Sequence, residues 1–282
     1  MEKYSIAMSV YIKENPEWFK IAIESMLNQS VKPSDFVIVK DGPLTPELEK
    51  VINDYVEKYP DLFNIVSFEK NQGLGLALRA AIEACKYELI ARMDSDDYSV
   101  PNRIEKELKV LEEHPELSMV GSNVTEFIDN FDNVISICQM PEKNDDIVTF
   151  SKKRNPMRHP TLLYKKSAVL KAGNYKDYHL CEDYDIVVRL IRSGCKAYNI
   201  QENLVYMRTS EDFYKRRGGL KYLKSVKKFK REMLDTGYIT RMQYYKTVIP
   251  HIIVCLMPNF LRGFVYKNLL RKKPKNEEVK TD

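Results

Sequence analysis

Residues 87–97, Tyr87-Glu88-Leu89-Ile90-Ala91-Arg92-Met93-Asp94-Ser95-Asp96-Asp97, join an apolar run to three carboxylates within four positions. The apolar half reads as a buried strand, bounded by a polar turn. Carboxylates spaced this closely repel one another unless water or a cation neutralises them. Mg²⁺ and Mn²⁺ accept such oxygen ligands and bridge one or two of them to phosphate groups. The plainer reading is a solvated turn capping the helix that begins near Pro101. Placement directly after an apolar strand favours the cation, and makes Asp94, Asp96 and Asp97 candidate metal ligands. A calcium loop of the EF-hand kind is disfavoured, because its obligatory glycine position holds Ser99 and Pro101 follows.

Working back toward the N-terminus, three more β-rich runs precede this one, at residues 4–11, 35–40 and 64–69. Helical patterns separate them. Asn15-Pro16-Glu17 and Thr45-Pro46-Glu47 are N-terminal signals, a capping side chain followed by proline at the first helical position. A third helix is expected over residues 73–85. Near-continuous apolar strands alternating with helices predict a parallel sheet covered on both faces. In such sheets ligands bind beyond the carboxyl ends of the strands. Ser9 and Tyr11, Asp41, Lys70 and the acidic turn stand at those four ends, a set that suits a nucleotide diphosphate with a divalent metal. Gly73-Leu74-Gly75 is not a dinucleotide fingerprint. It follows the third strand rather than the first and lacks the third glycine.

The second half is less regular. Extended segments are expected over residues 119–140 with a turn at 129–133, a short strand at 161–164, an amphipathic helix over 182–192, and a strand over 196–207. Glu182 and Asp183 open that helix, where acids are favoured by the helix dipole in any case. Their functional reading is a general base for an acceptor hydroxyl. His159 is either structural or a diphosphate contact, Arg103 is a surface or ion-pair residue, and Arg216 and Arg217 are candidate phosphate contacts.

Five scattered cysteines, none in a CxxC, read as reduced thiols of a cytosolic protein, and the opening strand does not resemble a signal sequence. From Lys215 to Lys273 there are 16 Lys/Arg against Glu232 and Asp235, a local +14, which leaves the rest of this +5 chain at −9 (5 − 14). A basic tail interleaved with apolar residues, Val248 to Met257 above all, is too short and broken to span a bilayer. It predicts helices lying at an anionic membrane surface, or packed on the main domain. No nucleic-acid partner is expected.

Over roughly residues 4–219 the chain resembles the family 2 glycosyltransferases of the GT-A fold, particularly those that assemble bacterial capsule, O-antigen or exopolysaccharide. The likeness rests on Ser9-Val10-Tyr11, Leu27-Asn28-Gln29-Ser30, Val39-Lys40-Asp41-Gly42, Asn71-Gln72-Gly73-Leu74 and residues 91–97. It continues through His159-Pro160-Thr161, Glu182-Asp183-Tyr184-Asp185 and Arg216-Arg217-Gly218-Gly219. The resemblance implies a Rossmann-like nucleotide-binding half in a mixed sheet over residues 1–219, with basic C-terminal helices over 220–282. It implies an inverting transfer of a hexose from a UDP-sugar to a saccharide carried on undecaprenyl diphosphate, at the inner face of the membrane. Ser9, Tyr11 and Asp41 would form the nucleobase pocket, with Lys70 a basic donor contact. Asp94 would touch ribose, Asp96 would bind the metal with Asp97 alongside, and Asp183 would be the base. Lys40, where relatives carry Asp or Asn, and Pro43, where they carry Ser or Thr, depart from the pattern. Two other readings stay open on the residues alone: a sugar-1-phosphate nucleotidyltransferase, and a non-catalytic nucleotide-sugar binding module.

Overall fold

In the computed structural model, residues 2–210, 218–258 and 261–262 are described. Strand β1 (Tyr4–Val10) is flanked by parallel partners, β2 (Asp35–Lys40) on one side and β4 (Leu89–Arg92) on the other, with β3 (Phe63–Ser67) parallel beyond β2. Side chains on both faces of these strands are buried, which is why the runs read as continuously apolar. Helices α1 (Pro16–Leu27) and α2 (Pro46–Lys58) cover one face, packing Phe19, Ile23, Met26, Leu48 and Ile52 onto Ile6, Met8 and Ile38. Helix α3 (Leu74–Ala84) covers the other, packing Ala77, Leu78, Ala81 and Ile82 onto Ala7, Val37, Val39 and Ile90. The expected caps are present. Asn15 accepts from the amides of Glu17 and Trp18, and Thr45 from that of Leu48.

Beyond β4 the sheet becomes mixed. β8 (Leu163–Lys165) runs antiparallel to β4, and β6 (Leu117–Phe127) antiparallel to β8. β9 (Lys196–Arg208) lies parallel to β6, and the two-residue β5 (Tyr98–Ser99) antiparallel to β9. β7 (Val134–Cys138) forms a hairpin with β6 around the expected turn at 129–133. Helices α4 (Arg103–Glu113), α5 (Asn144–Ser151), α6 (Lys166–Lys171) and α7 (Glu182–Arg192) fill the connections. The strand expected at 161–164 begins later, because His159–Thr161 forms a 3₁₀ turn. The pairing of β5 with β9 matters most for the site, since it returns the end of β9 to the acidic turn.

The chain then forms α8 (Gly219–Asp235) and α9 (Arg241–Leu256). Val226, Phe229 and Met233 of α8 pack with Ile239 on Tyr178, Cys181 and Val188, so α8 is bound to α7 through an apolar cluster of its own. Helix α9 starts in a capping box between Thr240 and Gln243 and continues through Pro250. Among the described residues, no helix is long and apolar enough to cross a membrane. Most of the second apolar stretch of the tail, Arg271-Lys272-Lys273 included, lies outside the described residues, as do Arg216 and Arg217.

Candidate active site

Strand β4 ends at Arg92, and the acidic turn occupies the next four residues but one before β5. Arg92 is fully buried and ion-paired to Asp94 Oδ1, while its Nε and Nη1 have no hydrogen-bond partner. Behind it, Arg103 Nη2 donates to the Arg92 carbonyl at 3.1 Å and Arg103 Nε to Glu107 Oε1 at 3.0 Å. Of the two readings of Arg103, surface residue or ion-pair residue, the second holds: its pair with Glu107 is completely buried and braces the strand end. Burial, followed by the charges of Asp94 and Glu14, pushes the half-buried Asp96 carboxyl up to about 7. Glu14 enters from the loop after β1, where its Oε2 accepts from Ser95 Oγ at 2.6 Å.

Asp97 sits differently from its neighbours. It is 2% exposed, its Oδ1 accepts from the Arg208 amide at 2.7 Å, and its Oδ2 is buried without a partner. Burial first, then the charges of Asp96 and Asp94, hold its carboxyl well above the usual range. Among the described residues, no three His, Cys, Asp or Glu side chains are grouped to hold a metal. The expected convergence of Asp94, Asp96 and Asp97 on one ion is thus not formed, because the β5–β9 pairing turns Asp97 toward the end of β9. The remaining pair still fits a cation. Two crowded carboxylates, one with raised proton affinity, suit an Mg²⁺ or Mn²⁺ ion whose other ligands are diphosphate oxygens and water.

Arg208 closes the turn from above. Its Nε donates to the Asp96 carbonyl at 3.0 Å, and its guanidinium carbon lies 4.2 Å from the Trp18 ring centroid and 4.5 Å from that of Phe127. A guanidinium between two rings is held by cation–π attraction as well as by hydrogen bonds. Neither Arg208, Trp18 nor Glu14 carries a local motif. Only the strand order brings them to the acidic turn.

At the end of β2, Asp41 is almost wholly buried. Its Oδ1 accepts from the Gln72 amide at 2.6 Å, and its Oδ2 from the Gly73 amide at 3.0 Å and from Asn71 Nδ2 at 2.9 Å. The carboxylate thereby ties the loop after β3 to the end of β2. Gly42, at φ +91°, permits the approach, since a Cβ there would sit 2.7 Å from the Asn71 nitrogen. Lys40 pairs with Glu49 at 2.9 Å on α2, which accounts for a lysine at that position. Ser9 is half-buried, whereas Tyr11 and Lys70 are exposed, all at the carboxyl edge of the parallel strands.

Asp183 lies in the first turn of α7. Its Oδ2 accepts from Asn155 Nδ2 at 2.9 Å and its Oδ1 from the Tyr184 amide at 2.7 Å. Glu182 beside it is 5% exposed, with Oε2 buried and unpartnered. Burial, reinforced by the Asp183 charge, pushes the Glu182 carboxyl to about 8. Glu182 is therefore protonated near neutral pH. Gly75 lets α3 approach this helix, as a Cβ would come within 2.2 Å of the Lys176 carbonyl oxygen. His159 is buried with Nε2 2.8 Å from Tyr175 Oη, and burial followed by the Arg92 charge holds it well below the usual imidazole range. It is a neutral member of a buried pair.

Solved structures share this architecture. A mannosyltransferase from Pyrobaculum calidifontis, in complex with GDP-Man and Mn²⁺, superposes with a TM-score of 0.62 at 11% identity, over 93% of this chain and 72% of that one. S. aureus TarS 1-349 in complex with UDP superposes at 0.60 and 17% identity, over 98% and 76%. The fold is the expected GT-A type. In sequence, the chain is 35% identical to an Escherichia coli UDP-Gal:alpha-D-GlcNAc-diphosphoundecaprenol beta-1,3-galactosyltransferase, over 96% of this chain and 97% of that protein. It is 32% identical to the Erwinia amylovora amylovoran biosynthesis glycosyltransferase AmsE, over 94% and 98%. The family model for glycosyl transferase family 2 matches residues 5–171, and the chain belongs to that family.

Proposed function

We propose that this enzyme transfers a hexose, with inversion, from a UDP-sugar to a saccharide on a diphosphate-linked lipid in bacterial surface-polysaccharide synthesis. The observation that carries the reading is the acidic turn at the carboxyl end of β4, together with Asp183 in the first turn of α7, in a chain alike over nearly its whole length to a galactosyltransferase named for a GlcNAc-diphosphoundecaprenol acceptor. Asp96, with Asp94, would hold a divalent metal, which supplies Lewis-acid stabilisation of the departing diphosphate. Ser9, Tyr11 and Asp41 would line the nucleobase pocket, with Lys70, Arg216 and Arg217 as basic contacts to the donor. Asp97 and Arg208 would fix the acidic turn from behind. Asp183 takes the acceptor hydroxyl proton as that oxygen attacks the anomeric carbon from the face opposite UDP. A single displacement with one base inverts the anomeric centre, by the same logic as inverting glycoside hydrolysis.

The test is a screen of UDP-, GDP- and dTDP-sugars, UDP-galactose first, for metal-dependent thermal stabilisation and for transfer to a GlcNAc-diphospho-lipid. Stabilisation by UDP-sugars that disappears on chelation is expected. Indifference to every UDP-sugar, or stabilisation unaffected by chelation, would sink the reading. A nucleotidyltransferase would instead form a sugar nucleotide from a nucleoside triphosphate, which the same preparation is expected not to do.

The acceptor's location fits the tail. Met242, Tyr245, Ile249, Ile253 and Leu256 recur at helical spacing on α9, each at least 50% exposed, with Arg241 and Lys246 exposed beside them. An apolar stripe that the described residues leave open, rimmed by cations, suits an anionic lipid surface. On this reading the enzyme would sit peripherally on the cytoplasmic face of the membrane. Ile249→Asp with Ile253→Asp is expected to abolish flotation with anionic vesicles and to leave UDP binding unchanged. Equal flotation of the double variant and the wild type would remove α9 as the anchor.

A further inference from the structure

We propose that Lys230 of α8 is a positioning residue for the base, fastening together the two segments whose side chains meet at Asp183. The inference rests on Asp183 being that base. One segment is the end of α5 and the residues after it, which carry Ser151, Lys153 and Asn155. The other is the start of α7. Lys230 Nζ donates to Tyr184 Oη at 2.8 Å and to the Lys153 carbonyl at 3.4 Å. Tyr184 Oη in turn donates to the Ser151 carbonyl, and Ser151 Oγ lies 2.5 Å from Tyr238 Oη. Two residues beyond Lys153, Asn155 donates to Asp183, and Tyr184 is the next residue after Asp183. One ammonium thus spans the joint that sets where the Asp183 carboxylate stands.

A lysine is a costly choice here. It is 1% exposed, on the α8 face that presents Val226, Phe229 and Met233 to Tyr178, Cys181 and Val188. Its hydrogen-bond partners are a phenol and a carbonyl, among the described residues no carboxylate offsets the charge, and a buried charge without a counterion is unfavourable. The groups facing it are Tyr184 and Cys181 from the start of α7, the Lys153 carbonyl from the α5 side, and the Phe229 ring on its own helix. Burial lowers its pKa to about 7. Helix docking alone would be served better by Leu or Met. What the lysine adds is direction, through two hydrogen bonds aimed at the two chains that hold the base.

Stability and catalysis should therefore move in opposite directions in Lys230→Met. The unfolded chain binds more protons than the folded one between about pH 7 and the ordinary lysine value near 10. The penalty of burying Lys230 is complete below about pH 7 and fades as pH rises through that window. Lys230→Met is expected to melt at or above the wild-type temperature, with its largest gain at pH 7 and below. With the UDP-sugar that the wild type accepts, its kcat is expected to fall about tenfold or more, as a displaced catalytic group costs, while donor KM stays within about twofold. Tyr184→Phe, which keeps the ring and removes only the hydroxyl, is expected to show the same split, and the double variant to be no slower than either single one. Wild-type kcat in a folded Lys230→Met enzyme overturns the proposal. Should that variant not fold, wild-type kcat in Tyr184→Phe overturns it. Parallel assay of Asp183→Asn separates the two readings: if that variant is active, the base assignment fails, and if it is inactive while both joint variants are normal, the strut alone fails.

Discussion

Asp183→Asn is expected to lower kcat by roughly 10²–10⁴ and to leave donor affinity close to wild type, if Asp183 is the proposed base. An amide occupies nearly the same volume, and its one oxygen keeps one of the two bonds that Asp183 accepts, from Asn155 or from the Tyr184 amide, so the change at the first turn of α7 is small. What disappears is proton acceptance, which is needed only as the acceptor oxygen attacks. Glu182→Gln provides the contrast. The Glu182 carboxyl is buried and already protonated near neutrality, so an amide is close to isosteric and iso-electronic with it. A modest effect is expected there. Steady-state kinetics with one UDP-sugar and one acceptor decide between them: an active Asp183→Asn enzyme beside an inactive Glu182→Gln enzyme would transfer the base role to Glu182.

Much of the nucleotide-binding half is legible in the chain because its signals are local. Each of the first four strands is a short, largely apolar run, the second and fourth leading into Asp41-Gly42 and Asp94, and each of the first two helices begins with a capping side chain and a proline. Parallel pairing follows from burial on both faces, and strand-end placement of Asp41 and the acidic turn follows from parallel pairing. Burial depth is not local in this sense. Arg103 reads as a surface or ion-pair residue because its helix is amphipathic and charged, and the helix turns that side chain under β4, where Glu107 and the Arg92 carbonyl receive it. The sequence leaves His159 open between a structural role and a diphosphate contact, and only the fold supplies Tyr175 as its buried partner.

The proposed anchors of the candidate site stand out in the sequence, and the residues packed around them do not. Asp94, Asp96 and Asp183 stand out by spacing and by position at the start of a helix. Arg208 stands 111 residues after Asp97 and meets it only because β9 runs back beside β5. Trp18, on α1, meets the same guanidinium from the opposite end of the domain's sequence. No periodicity records such meetings. The same holds for Lys230, which among 16 basic residues of the tail region is indistinguishable by pattern from a solvated one. The stripe on α9 is the converse case, in which apolar residues at helical spacing predict a buried face and the described residues leave it uncovered.

Asp96→Ala is expected to abolish transfer and with it the metal dependence of UDP binding. The argument is electrostatic. Asp96 carries a carboxyl raised to about 7 because burial, Asp94 and Glu14 all oppose its charge, and a divalent ion is the group that would relieve that opposition. If Asp96 is the proposed ligand, removing its carboxylate would weaken the hold on the ion, and with it several kcal/mol of stabilisation that the metal would supply to the leaving charge, on the order of 10³-fold or more in rate. Asp97→Ala tests the division of labour within the turn. Its Oδ1 serves the Arg208 amide, so the expected result is a lower melting temperature with UDP binding still dependent on metal. Isothermal titration of UDP with and without Mn²⁺, on the wild type and both variants, reads the two outcomes apart. Normal turnover of Asp96→Ala after chelation and readdition of Mn²⁺ would overturn the ligand assignment. Loss of metal dependence in Asp97→Ala alone would move the ligand to the residue that the β5–β9 pairing turns away.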